Sequence, residues 1–238
     1  MSLSVGEKRL LKDVININKH PLTDQGIYYI HDADNIKKGY ALIIGPKETI
    51  YSHGMYFFEF TYPDDYPFAP PHVEYLTNGD KIRFNPNLYR GGKVCISILN
   101  TWSGPQWSSC QTISSILLTL ITLFHNKPLL NEPGVNESYP GFKTYNKIIR
   151  YASIKIALID VLTGKICATI FDKFKPDILN YIKTNRDEIT TIINKIDETL
   201  SEESTLVLSV GIYGTKCKCK KKGTLLKKIN SYYAKIGV

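Results

Sequence analysis

The spacing of apolar residues changes twice along the chain. Over residues 4–18, Leu10, Leu11, Val14 and Ile15 recur at helical spacing, Lys8, Arg9 and Lys12 lie on the polar side, and Pro21 closes the segment. From Gly26 to Leu76 the runs become short, aromatic and β-branched. Ile27–Ile30, Tyr40–Ile44, Met55–Tyr62 and Val73–Leu76, separated by Gly, Pro and Asp, predict four antiparallel strands in a meander. Helical spacing returns over 111–125, where Ile113, Ile116, Leu117, Leu120, Ile121 and Phe124 share a face and Ser109 or Thr112 supplies the cap. A second helix is expected from Tyr145 to Leu162. Beyond Gly164, Ile178 through Leu200 predict one long amphipathic helix or two, and Leu225 to Ile236 a terminal one.

Two stretches break this periodicity. Pro63, Pro67, Pro70 and Pro71 fall within nine residues and lack backbone donors, so 62–71 is a stiff loop presenting Tyr66 and Phe68. Asn85 to Lys93 is punctuated by Pro and Gly and ends at Val94-Cys95-Ile96. A thiol between apolar residues is ordinarily inert core. One that closes a surface loop is instead expected at a rim, within reach of a large partner.

Composition narrows the setting. The chain has 238 residues, enough for a full hydrophobic core, with 43% hydrophobic and 22% charged residues. No apolar run is long enough to span a bilayer, and Met1 to Lys8 lacks the apolar centre of a signal peptide. The five cysteines (95, 110, 167, 217 and 219) form an odd set without a scaffold spacing. Reduced thiols and a cytoplasmic or nuclear location are expected. The net charge of +8 is concentrated in Lys216, Lys218, Lys220, Lys221, Lys222, Lys227 and Lys228 and reads as a solvated face. It lacks the interleaved aromatics of a single-strand platform, so nucleic acid is not an expected partner. Cys217-Lys218-Cys219 lacks the gap of zinc pairs, and no metal is expected.

In this order, the motifs resemble those of the ubiquitin-conjugating enzyme (UBC-domain) family. Tyr66-Pro67-Phe68-Ala69-Pro70-Pro71 is similar to the family's Tyr-Pro-Phe-x-Pro-Pro loop, and Asn85-Pro86-Asn87 to its His-Pro-Asn triplet with the first residue changed. Cys95 follows Asn87 at the family spacing, and Trp107-Ser108 precedes the Gln111 to Ser115 helix start. The insertion Asn100 to Trp107, with Asn131-Glu132-Pro133-Gly134, resembles the large, C-terminally extended Z type.

The resemblance implies an α+β UBC fold: an N-terminal helix, a four-stranded meander, an active-site loop, then helices. It implies a core over 1–165 and a mainly helical extension over 166–238. It makes Cys95 the nucleophile that accepts ubiquitin, or a ubiquitin-like protein, from an activating enzyme for transfer to substrate lysine or a ubiquitin ligase. Attack on a thioester builds an oxyanion. Asn87 either stabilises it, a donor role typically worth about 3 kcal/mol, or pins the loop. The changed Asn85 is expected to act on loop architecture. Glu132 stands where the family often has an acidic gate that orients lysine, or is a solvated carboxylate. Phe68, Trp107 and Ser108 match the ligase-docking surface, although Ser108-Ser109-Cys110 departs from the family's Ser-Pro-Ala and weakens the expectation of standard RING ligases. Lys8, Arg9 and Lys12 match the face that meets the activating enzyme. Trp102 is expected to pack the insertion against the core. No cofactor is expected, because ATP belongs to the activating partner. A cysteine protease lacks a placed His signature here. An inactive UBC-fold scaffold is the remaining alternative, against which Cys95 itself argues.

Overall fold

The computed structural model describes residues 3–79 and 82–237. Helix α1 (Val5–Lys19) starts where the Ser4 hydroxyl accepts from Glu7 N at 3.1 Å and the Glu7 carboxylate accepts from Ser4 N at 2.8 Å. Strands β1 (Ile27–His31), β2 (Lys38–Ile44), β3 (Met55–Thr61) and β4 (His72–Tyr75) form one antiparallel sheet in sequential order. Helix α2 (Ile113–Ile121) is capped by Thr112, so of the two candidate caps the nearer one serves. Helix α3 (Phe142–Ala152) passes into a π-helical segment, Ser153–Asp160, where the pattern predicts uninterrupted α-helix.

In β3 nearly every residue is buried, whichever way it points. A strand buried on both faces loses its apolar/polar alternation, and each face has its own cover. On the inner face Tyr56 stacks on Phe124 with ring centroids 4.4 Å apart, and its hydroxyl meets Ser153 Oγ at 2.9 Å. On the outer face Phe57, opposite Leu42, meets Phe174 at 6.0 Å. Phe174 lies between α4 (Ala168–Lys173) and α5 (Lys175–Thr184), so the chain beyond Gly164 covers the sheet.

The remainder of that region is α6 (Arg186–Asp197), a hairpin of β5 (Val207–Val210) with β6 (Thr215–Lys218), and α7 (Thr224–Ile236). The amphipathic pattern over 178–200 is therefore two helices, broken at Asn185. The hairpin is an addition to the expected helices. Its signal is the alternation of Thr215, Cys217 and Cys219, all buried, with exposed Lys216 and Lys218. Of the lysine run, Lys216 and Lys218 are solvated as one side of β6, and Lys221 and Lys222 are exposed beyond the strand. No helix among the described residues is long and apolar enough to cross a membrane.

Candidate active site around Cys95

The Cys95 loop extends the sheet edge. Tyr75 N donates to Gly92 O at 2.7 Å, and the turn from Tyr89 to Gly92 is closed by Gly92 N donating to Tyr89 O at 3.0 Å. Gly92 has φ 89°, and a Cβ there would lie 2.6 Å from Glu74 Oε1, so both backbone conformation and space require glycine.

Asn87 then grips both backbone groups of Cys95. Cys95 N donates to Asn87 O at 2.9 Å, and Asn87 Nδ2 donates to Cys95 O at 2.6 Å. Asn87 Oδ1 is buried and has no hydrogen-bond partner. Asn85 is completely buried; its Oδ1 accepts from Asn87 N at 2.9 Å and its Nδ2 donates to Leu123 O at 2.8 Å. The residue that stands in place of histidine thus ties the loop to the end of α2, an architectural role. On the far side, Ile96 N donates to Thr101 Oγ1 at 3.0 Å, and that hydroxyl lies 2.8 Å from Val94 O.

Folded between these two bonded turns, Cys95 is 2% exposed. The thiol is enclosed where the loop pattern predicts an open rim. Among the described residues it does not join the continuous hydrophobic core, although Val94 and Ile96 do.

Glu132 closes a short helical turn (Pro128–Asn131) and is half-buried. Its neighbour Asn131 places Nδ2 at 3.4 Å from Asn85 Oδ1, which brings the acidic loop to the Asn85–Asn87–Cys95 bridge. The Glu132 carboxylate accepts a hydrogen bond from the Tyr213 hydroxyl, whose titration is pushed well up by burial and by that carboxylate. Sequence reasoning missed Tyr213, and also Arg83, which donates to Pro86 O beneath the loop. The available signal was Gly211 and Gly214 bracketing Tyr213 as a hairpin turn.

The docking candidates separate. Phe68 is 78% exposed at the tip of the proline loop, and Ser108 is exposed. Trp107 is buried, with Nε1 donating to Pro67 O at 2.8 Å, so it holds that loop in place. Trp102 is half-buried and is not part of the core cluster. On α1, Lys8 and Lys12 are exposed. Arg9 is engaged internally: Nε on Asp13 at 3.0 Å, Nη1 on Ser109 O at 2.7 Å and Nη2 on Gln111 O at 2.9 Å. Asp13 in turn accepts from the Tyr66 hydroxyl at 2.6 Å, so Arg9 and Asp13 join α1 to both the proline loop and the approach to α2.

Of the other thiols, Cys110 is exposed, Cys217 and Cys219 are buried, and burial pushes Cys167 up to about 11. Among the described residues no three His, Cys, Asp or Glu gather as metal ligands. A cavity of about 630 Å³ opens between α3, α6 and β5, lined by Ile50, Tyr151, Ile154, Ile192 and Leu208 among others; it takes no residue from the Cys95 loop.

Residues 9–152 match the family model described as "Ubiquitin-conjugating enzyme". The chain is 44% identical over 161 residues to ubiquitin-conjugating enzyme E2 Z of Danio rerio, covering 66% of this chain and 48% of that protein. It is 44% identical over 160 residues to its counterpart in Homo sapiens, covering 66% of this chain and 45% of that one. The chain thus spans about half the length of these curated relatives. A solved structure of human ubiquitin-conjugating enzyme E2 G1 is 28% identical, with 52% of this chain and 98% of that one covered at a TM-score of 0.44. With the matched segment running from α1 to the end of α3 and enclosing the Asn87–Cys95 bridge, the chain belongs to the ubiquitin-conjugating enzyme family.

Proposed function

We propose that this chain accepts ubiquitin, or a ubiquitin-like modifier, as a thioester on Cys95 from an activating enzyme and passes it to a substrate lysine or a ligase cysteine. The observation that carries this reading is the pair of hydrogen bonds between Asn87 and Cys95, Cys95 N donating to Asn87 O and Asn87 Nδ2 donating to Cys95 O, which fixes the Cys95 backbone against a side-chain amide. Both amide hydrogens of Asn87 are donors, so one holds Cys95 O while the other remains for an oxyanion. The two roles foreseen for Asn87 are then compatible. Sulfur suits the task because exchange between thioesters is nearly thermoneutral, and an already activated acyl group needs no unusually reactive thiolate.

In the same proposal the activating enzyme handles ATP, and this chain holds no cofactor of its own. Residues 1–165 act as the conjugating core and 166–238 as an extension that completes it. Phe68 and Ser108 form the ligase-facing surface, Lys8 and Lys12 meet the activating enzyme, and the setting is cytoplasmic or nuclear.

The test is a charging assay with activating enzyme, ATP and ubiquitin, resolved on a non-reducing gel beside Cys95→Ala. A reductant-sensitive shift that requires Cys95 is the expected result. No shift with ubiquitin or with any of several ubiquitin-like modifiers would leave the scaffold reading. A shift that persists in Cys95→Ala would move the chemistry to another residue.

A further inference from the structure

The tip of the β5–β6 hairpin comes from the far end of the extension, yet it rests on the Cys95 loop. Tyr213 carries the contact. Its backbone is left-handed at φ 55°, uncommon for a non-glycine residue, and it lies within the Gly211–Gly214 turn. Four groups meet it. Its hydroxyl donates to the Glu132 carboxylate, Arg90 Nη2 donates to its carbonyl at 2.7 Å, the Arg83 guanidinium lies 4.1 Å above its ring, and Tyr145 meets the ring edge-on at 6.4 Å. Arg83 and Arg90 stand on either side of Asn85 to Tyr89, and Glu132 follows the residue that touches Asn85. One side chain of the extension therefore touches both the Cys95 loop and the acidic loop beside it.

We propose that Tyr213 is a positioning residue of the active site, holding the Glu132 carboxylate so that its second oxygen receives the N–H of a lysine amine arriving at the Cys95 thioester. This rests on the reading of Cys95 as the thioester-forming residue. In that step the amine nitrogen attacks the thioester carbonyl and a C–N bond forms. The C–S bond breaks with its electron pair passing to the Cys95 sulfur, and the proton shed by nitrogen goes to that thiolate or to water. Glu132 orients the amine, and Tyr213 acts only through Glu132. A carboxylate already held by one donor has less rotational freedom left to lose when the amine arrives. The extension thereby becomes part of the catalytic centre.

The experiment is single-turnover discharge of the ubiquitin-charged full chain to free lysine, for wild type, Tyr213→Phe, Glu132→Gln and the double variant. Tyr213→Phe keeps the ring over Arg83 and removes only the hydroxyl. Discharge is expected to slow about five-fold, the scale of one orienting hydrogen bond. The same change made in the Glu132→Gln background is expected to have no further effect. Equal slowing in both backgrounds would mark a merely structural role and overturn the proposal. So would an unchanged or faster rate in Tyr213→Phe, or a wild-type thioester inert to lysine. A wild type that forms no thioester on Cys95 at all overturns the underlying reading, and this one with it.

Discussion

The two faces of the sheet are covered by different chemistry. The inner face is sealed mainly by aromatic packing and hydroxyl contacts: Tyr56 on Phe124, Tyr56 to Ser153, and the Tyr29 hydroxyl at 2.9 Å from that of Tyr62 and 2.9 Å from Nδ1 of His31 at the margin. The outer face has an aromatic centre, Phe57 on Phe174, inside a titratable margin. There His53 Nδ1 lies 2.7 Å from the Tyr181 hydroxyl, His53 Nε2 lies 3.6 Å from Glu188, Lys47 pairs with Glu188 at 2.6 Å, and Lys173 lies 3.5 Å from Asp32 and over the Tyr40 ring. The inner seal rests on packing, with half-buried His31 a titratable contact at its margin. The outer one holds α4, α5 and α6 through contacts that include titratable groups.

The largest effect that sharpens this contrast is expected from Phe124→Ala. Removing a fully buried ring costs about 4 kcal/mol, and chemical denaturation is expected to show the whole chain unfolding in one earlier transition. Phe174→Ala is expected to cost slightly less, about 3 kcal/mol. It is expected to loosen residues 166–238 first, seen as protease cleavage of the extension while the matched segment stays folded. Identical single transitions in the two variants would erase the distinction between the faces.

Acid gives the next effect. Burial, the leading cause, lowers His53 to about 4 in the folded chain, partly offset by Glu188. The folded-state value lies below the unfolded one, so the neutral ring stabilises the fold above the unfolded value of about 6.5, and that contribution is lost as pH falls towards 4. Between pH 7.5 and 5 the loss is about 2 kcal/mol, read from denaturation midpoints. Replacing His53 with Gln is expected to flatten that slope. Glu188, lowered chiefly by its bond to Lys47, adds its own loss only at still lower pH. A slope unchanged by His53→Gln would show that the margin is not the acid-sensitive element. Smallest of all, Lys173→Met removes a half-exposed pair and a surface cation–ring contact, for about 0.5 kcal/mol.

Much of the inner half was legible in the chain itself. The four strands, α1, α2 and the start of α3 follow from local periodicity and caps, because these report which face of an element is apolar. The proline loop and the Asn87–Cys95 spacing were legible for a related reason: short-range geometry sets them. The β5–β6 hairpin was not, since its lysines present a charge run and the alternation with Thr215, Cys217 and Cys219 spans only two strand repeats. Nor was the role of Trp107, whose position matched a docking surface but whose indole is spent on Pro67 O.

By itself, the sequence determined the order of elements from α1 to α3 and the family, because each is encoded within a few neighbouring residues. Only the tertiary structure decided that Cys95 is enclosed, that the outer sheet face is covered by the extension, and that Tyr213 meets Glu132 across 81 residues and Arg90 across 123. The physical reason is that local pattern specifies which surfaces are apolar or charged. Which of them meet depends on the packing of the whole chain, and contacts at such separations leave no periodic trace along it.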